Sequence, residues 1–315
     1  MMGAAGMIAG SQVTGRLGAI AVRNVLFDEP MSAHTSMGVG GRADALAFPD
    51  TDEELCHLIS FLRREGIPFL PVGNGTNLIV RDGGYRGVLV SLERLRKLEI
   101  ARVEGSGDAL VHAQAGVSFA GLVDLSLRES LTGMEFCAGI PGSVGGGVRM
   151  NAGAWGQEVK DIISSVTILD ALGRIGDMVR KDLLFEYRNL DLPAGAIITG
   201  ATFRLAKGDS AAIRERVSEI MAKRKTRHPL SFRSAGSVFK NPPGNTAGKM
   251  IEEAGLKRFR IGGAEISEKH ANFIVNRGGA TAADVIALID TVRERILGAR
   301  GVLLEPELKI IGDEI

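Results

Sequence analysis

Glycine placement constrains this chain more than any other feature. Of its 315 residues, 42 are glycine, about twice the usage of an average domain. They gather at 73–87, 139–156 and 236–279. Glycine gives up the most backbone entropy on folding, so such clusters mark tight turns or places where backbone must approach a ligand closely. The first two contain "PVGNGTNLIV" (71–80) and "GIPGSVGGGVRMNAGAWG" (139–156). Bare N–H groups in turns of this kind form anion-binding nests. Either loop alone reads as a hairpin or a packing turn. Two of them, each with Asn, Ser or Thr donors among the glycines, point to a large dinucleotide whose pyrophosphate lies between the loops, in a groove separating two domains. The usual nucleotide motifs are missing. "GNGTNL" lacks the third glycine of G-x-G-x-x-G and leads into a strand-like run, and no G-K-[ST] occurs. A kinase, a P-loop ATPase and a structural NAD-binding module are therefore disfavoured.

Length predicts two domains or three small ones. Net charge is +1, so no global field attracts nucleic acid or an anionic membrane. Cys56 and Cys137 are far apart and in no metal-ligand spacing. That excludes a disulfide scaffold and a cysteine metal site, and fits a reducing, cytoplasmic compartment. The first thirty or so residues lack a basic n-region and a Leu-rich core, so they read as a loose extension or an upstream start, not a signal peptide. No run reaches the roughly 18 apolar residues of a membrane span. Nothing determines the oligomeric state; a monomer is the simpler expectation.

Periodicity predicts an α+β chain. Thr51 to Glu65 reads as a helix with a Thr51/Glu54 capping box and a stripe of Leu55, Leu58, Ile59 and Leu62. Strands are expected at "IPFLPVG", "NLIV", "GVLVSL", "ALVHAQAG", "SSVTILDALG" and "AIITGATFRLA". A helix is expected from Ser118 to Leu131, ahead of the long glycine loop. Helices follow at Ser210–Lys225, Thr246–Ala254 and Thr281–Leu297, and a closing strand at "GVLLEPELKIIG". In that strand Glu305, Glu307 and Lys309 would share one face. The expected partition is an extension over 1–30, two α+β units over 31–97 and 98–207, and a more helical unit over 208–315. "SAGSVFKNP" (234–242) presents Ser237 in a small-residue turn. A serine nucleophile needs an adjacent base. None of the five histidines stands in a triad pattern with it, and G-x-S-x-G is absent.

Seven segments then occur in order: "HTSMGVGGRAD", "GNGTNLIV", "GIPGSVGGGVRMNAGAWG", "FEYRNL", "SAGSVFKNP", "EKHANFIVN" and "LEPELKIIG". From about Pro30 to Gly312 the chain resembles the UDP-N-acetylenolpyruvoylglucosamine reductase family, and its shorter branch. After "YR" the chain runs straight into "NLDLPAGAIITG", with no room for an extra substrate-clamping loop. Two residues depart from the family pattern: Trp155 stands where a tyrosine is common and Arg149 where a small residue is common.

The resemblance implies a two-subdomain FAD-binding fold of the vanillyl-alcohol-oxidase type plus a C-terminal α+β substrate domain. It implies FAD as cofactor and NADPH as electron donor. On this mapping Gly73, Asn74, Gly75, Thr76 and Asn77 would hold the FAD pyrophosphate. Gly139, Ile140, Pro141, Gly142, Ser143, Gly145, Gly146, Asn151 and Gly153 would line the rest of the flavin, with Gly40 and Gly41 near the same cofactor. Arg188, Ser237 and Glu307 would be catalytic: Arg188 stabilises an enolate, Ser237 protonates C2, and Glu307 assists with a raised pKa. Tyr187, Arg227, Lys240, Asn241, His270 and Asn272 would bind the nucleotide sugar. No metal is implied. Taken singly, Arg188 reads as a surface ion-pair residue, Glu307 as an exposed strand residue and Ser237 as a turn hydroxyl; only their joint occurrence changes that. A flavin oxidase of the same superfamily and a nucleotide-sugar sensor are the alternatives. "SAGSVFKNP" and "LEPELKIIG" argue against the first, and the presence of all three catalytic residues against the second.

Overall fold

The computed structural model describes residues 24–314. Most of the expected N-terminal extension lies outside the described residues. The remainder departs from expectation: Val25–Pro30 is a strand, antiparallel to Arg42–Ala47. It is an edge strand whose Leu26 and Phe27 stay exposed, so it shows none of the alternation that would reveal it in the sequence. Tyr85–Ser91 and Phe69–Val72 complete this first sheet in parallel. Helix α1, Asp52–Arg64, covers it through the expected stripe, whose four residues are solvent-inaccessible. The capping box forms only in half. Thr51 Oγ1 accepts from Glu54 N at 3.1 Å, while the Glu54 carboxylate takes Asp50 N at 2.9 Å.

The second unit is a sheet of antiparallel strands in the order Ile175–Val179, Ile163–Leu169, Ile197–Lys207, Ala109–Gln114 and Leu98–Arg102, with Leu131–Thr132 added at one end. Helix α2, Phe119–Glu129, starts at Ser118, whose Oγ accepts from Gly121 N at 3.1 Å. The second glycine cluster is not all loop: Val144–Arg149 forms the short helix α3. A Cβ on Gly147 would lie 2.0 Å from the Phe119 ring, so only glycine lets α3 approach α2 this closely. A hairpin follows, Leu184–Glu186 against Asn189–Asp191, with Tyr187 and Arg188 at its tip.

Helix α4, Ser210–Arg227, leads into the third unit. There α5 (Ala247–Glu253) and α6 (Ala282–Arg300) accompany a small antiparallel sheet of Arg233–Ser234, Ile274–Asn276, Ala264–Ile266 and Arg260–Ile261. The closing strand is much shorter than expected. Only Lys309–Ile311 is strand, and it pairs in parallel with Leu78–Val80 of the first unit. Pro306, bridged to Phe239, has no N–H to continue a ladder. The third unit is thus stitched to the first. Asp82 accepts from Ala282 N at 2.9 Å and Ala283 N at 2.8 Å at the start of α6. Met37, Val39 and Ile79 of the first unit lie in the apolar core of the third.

Candidate active site

A cavity of about 810 Å³ is lined by both glycine loops, Arg188 of the hairpin tip, His228, Leu230, residues 232–237 and Glu307. The loops come close enough to touch. A Cβ on Gly73 would lie 2.8 Å from Ser143 Oγ, and one on Gly142, at φ +120°, would lie 3.0 Å from Thr76 Oγ1. Gly75, at φ +63°, approaches His34 O so closely that a Cβ would sit 2.2 Å away. Side chains are thereby kept out and backbone faces the cavity. Gly73–Asn77, Gly139–Ser143, Gly145, Gly146 and Gly153 all line it.

The same wall carries an orphaned cation. Arg224 is 8% exposed, lines the cavity, and its Nε has no hydrogen-bond partner. Burial opposes its charge and holds its pKa below the usual arginine value. Bare backbone beside a buried, unanswered guanidinium suits a ligand with phosphates. By this test the residues fit a dinucleotide such as FAD.

Arg188, Ser237 and Glu307 are brought to this one cavity from three parts of the chain. Arg188 sits at φ +59° at the hairpin tip, with its Nε 3.3 Å from Glu307 Oε1. That contact is within ion-pairing distance but is not a formed hydrogen bond, because Arg188 Nε has no hydrogen-bond partner. Their side chains are 19% and 16% exposed. Burial pushes the Glu307 carboxyl up, against the opposing pull of Arg188 and Lys240. Glu305 is unlike it: its side chain is 68% exposed and pairs with Lys240 Nζ at 2.5 Å. Hydrogen bonds at the Glu307 main chain tie it to the Ser237 segment and to the first glycine loop. Glu307 N donates to Val238 O at 2.8 Å, next to Ser237, and Asn77 Nδ2 holds Glu307 O at 3.0 Å.

Several expected ligand contacts do not line this cavity. Gly41 packs against the Asp82 carbonyl, 2.1 Å from where its Cβ would be, and Gly40 against Val80 and Met31. Asn151 is wholly buried, its amide occupied by Glu158 Oε2, Glu186 O and Lys160 N. Asn272, 4% exposed, pairs through its side-chain amide with both the N–H and the carbonyl of Phe239. It braces the Ser237 segment. Asn241 Oδ1 accepts from Ala247 N and so starts α5. Lys240 faces Glu305, Tyr187 lies exposed under its neighbour's guanidinium, and Arg227 is exposed. His270 packs against His228 and Phe273, with ring centroids 5.6 and 4.9 Å away.

Arg224 and His228 were missed by the sequence reading. The signal was present, because Ile213, Val217, Ile220 and Arg224 share one helical stripe, which places a cation on the apolar face of α4. His228 lines the cavity with a pKa held down to about 4, by burial first and then by Arg224, His270 and Arg227. Its folded value lies below the ordinary 6.5, so the unfolded chain binds the proton more readily and acid removes stability. The Tm of the protein is expected to fall as pH drops from 6.5 towards 4. In His228→Gln that slope should flatten. Equal slopes in a calorimetric pH series would mean that other groups set the acid limit.

Comparison with known proteins agrees with this architecture. Residues 228–311 match a family model described as UDP-N-acetylenolpyruvoylglucosamine reductase, C-terminal domain, and residues 43–178 match one described as FAD binding domain. The UDP-N-acetylenolpyruvoylglucosamine reductase of Syntrophus aciditrophicus is 54% identical over 290 residues, 92% of this chain and 93% of that protein. The Caldanaerobacter subterraneus protein of the same name is 44% identical, over 91% and 93% respectively. The crystal structure of the Thermus caldophilus reductase superposes with a TM-score of 0.76 at 34% identity, covering 91% of this chain and 98% of that one. The fold is therefore the expected α+β class: a two-subdomain FAD-binding fold of the vanillyl-alcohol-oxidase type with a C-terminal α+β domain. With 54% identity across 92% of its length, the chain belongs to the UDP-N-acetylenolpyruvoylglucosamine reductase family.

Proposed function

We propose that this protein is an FAD- and NADPH-dependent reductase that converts UDP-N-acetylglucosamine enolpyruvate to UDP-N-acetylmuramate, a cytoplasmic step of peptidoglycan precursor synthesis. The observation that carries this reading is the convergence of Arg188, Ser237 and Glu307 on a cavity lined by two glycine loops. For the domains we keep 31–97 and 98–207 as FAD-binding subdomains and 208–315 as the substrate domain. Residues 24–30 join the first, and 309–311 reach back to it.

The chemistry supplied by bound FAD is hydride transfer, from NADPH to C3 of the enolpyruvyl double bond. Negative charge then develops at C2 and spreads into the substrate carboxylate. Arg188 answers it. Its guanidinium is charged and fork-shaped, and its Nε makes no competing hydrogen bond. Glu307 can assist only if it does not add a second negative charge, and its burial favours the protonated form. Ser237 donates the proton to C2. Serine is a weak acid, but the carbanion it meets is a far stronger base than an ordinary leaving group. Among the described residues no base is hydrogen-bonded to Ser237, which fits a donor and not a nucleophile.

Arg224, buried in the cavity wall, contacts an FAD phosphate in this reading, a role distinct from the nucleotide-sugar contact that the resemblance implies for Arg227. Arg224→Met should stabilise the FAD-free protein by about 2–4 °C in Tm, because a buried unanswered charge is removed. The same variant should bind FAD about tenfold or more weakly, since a charge-assisted hydrogen bond is worth roughly 1.5–3 kcal/mol. Unchanged FAD affinity by fluorescence titration would separate Arg224 from the cofactor.

The reading as a whole is tested by the visible spectrum of the purified protein under anaerobic conditions. A yellow protein should bleach with NADPH and recover its colour only with the enolpyruvyl nucleotide. A protein that cannot be loaded with FAD would overturn the reading.

A further inference from the structure

The Arg188 backbone is held where an arginine does not go unaided. Arg188 is at φ +59°, and a non-glycine residue in the left-handed region is strained and persists only when its surroundings over-determine it. Beyond the hairpin's own ladder and the Glu307 contact, the side-chain hydrogen bonds that hold it come, among the described residues, from one short segment, 149–153. Asn151 Nδ2 holds Glu186 O, on the incoming hairpin strand, at 3.0 Å. Arg149 Nη1 donates to Asn189 Oδ1 at 2.5 Å and to Leu190 O, both on the outgoing strand. Gly153 O accepts from Arg188 Nη2 itself at 3.2 Å. The hairpin is thus gripped on both strands and at its tip. Asn151 is in turn anchored, at φ +42°, to Glu158 and Lys160.

We propose that Arg149 is a positioning residue: with Asn151 it clamps the two strands of the 184–191 hairpin and so sets the Arg188 guanidinium against Glu307. The inference rests on the catalytic reading above for its consequence, though not for its geometry. Asn151 restrains only the incoming strand, which leaves the outgoing one to Arg149. Because one guanidinium nitrogen serves two acceptors on adjacent residues, it fixes the direction of the strand as well as its distance. A lysine ammonium is a point charge on a flexible stem and restrains direction poorly. Gly153 and Arg149 also line the cavity, so the segment that faces the ligand is the segment that holds the hairpin.

The test uses the FAD-loaded protein carrying 13C at the glutamate carboxyl, with Glu307→Gln to assign the resonance. Arg188 and Lys240 are the two cations that lower the Glu307 pKa. In Arg149→Lys and Arg149→Met, Arg188 should drift from Glu307, so the Glu307 titration should move up in pH. Reoxidation of reduced flavin by the enolpyruvyl nucleotide should slow about 10–100-fold, the scale on which small misplacement of a catalytic group acts. Flavin reduction by NADPH and the FAD dissociation constant should stay near parent values. A Glu307 titration unchanged in both variants would overturn the proposal. So would a loss of FAD affinity without a change in that titration, which would make Arg149 a cofactor contact. A uniform loss of Tm and of both half-reactions in Arg149→Lys would show a merely structural role. If the parent itself fails to turn over the nucleotide, the catalytic reading falls, while the titration still decides the clamp.

Discussion

Ser237→Ala is expected to leave flavin reduction by NADPH close to the parent rate and to slow reoxidation by the enolpyruvyl nucleotide by about 10²–10⁴-fold, the range attributed to a positioned general acid. The split follows from where the proton is needed. Hydride transfer to the flavin requires nothing from this hydroxyl, whereas the carbanion at C2 does. The main chain around Ser237 should survive the substitution, because Val238 N bonds Asn272 O, Val238 O bonds Glu307 N, and Asn272 grips Phe239 on both its polar groups. Stopped-flow absorbance resolves the two half-reactions. Equal slowing of both would remove Ser237 from the proton-transfer step.

Arg188→Ala is expected to slow the same half-reaction by about 10²–10³-fold, the cost of removing one preorganised charge stabiliser. It also makes a prediction of sign. Burial raises the Glu307 pKa and Arg188 is the first of two cations opposing that rise. Removing Arg188 leaves Lys240 alone in opposition, so the Glu307 pKa should climb further. If the protonated acid is the working form, activity falls as pH rises through that pKa. In Arg188→Ala the alkaline limb of the reoxidation rate should therefore move to higher pH than in the parent. A limb that stays in place, or moves down, would mean that Glu307 does not control it. Arg188→Lys should recover little, because an ammonium cannot form the planar two-point contact with a carboxylate.

The fold was largely legible because periodicity reports burial directly. The α1 stripe, the strands at 109–114 and 197–207, and helices α4 to α6 follow from apolar spacing and caps read over a few residues. What escaped were elements whose pattern is set elsewhere. The strand Val25–Pro30 is polar and exposed and exists only because Arg42–Ala47 is there to pair with it. Helix α3 is rich in glycine, a poor helix former, and is tolerated because Phe119 leaves no room for a larger residue at Gly147. The final strand was overextended because Pro306 interrupts a run that alternates correctly.

For the site, the chain alone determined which residue types were available: two glycine loops for a large anion, a serine without a base, an arginine in "FEYR" and a pair of glutamates in "LEPEL". It did not decide which glutamate was buried, since Glu305 and Glu307 are equivalent by alternation. The tertiary structure separated them, by placing one beside Lys240 in solvent and the other against Arg188 under the cavity wall. Nor could the sequence tell a ligand contact from a brace. Asn151, Asn241 and Asn272 look like ligand groups but hydrogen-bond backbone, while Arg224 looks like a helix-end cation but is the buried, unanswered charge. The physical reason is the same in each case. Donor and acceptor chemistry belongs to the residue type, but whether a partner already satisfies it depends on chain segments up to 239 residues away.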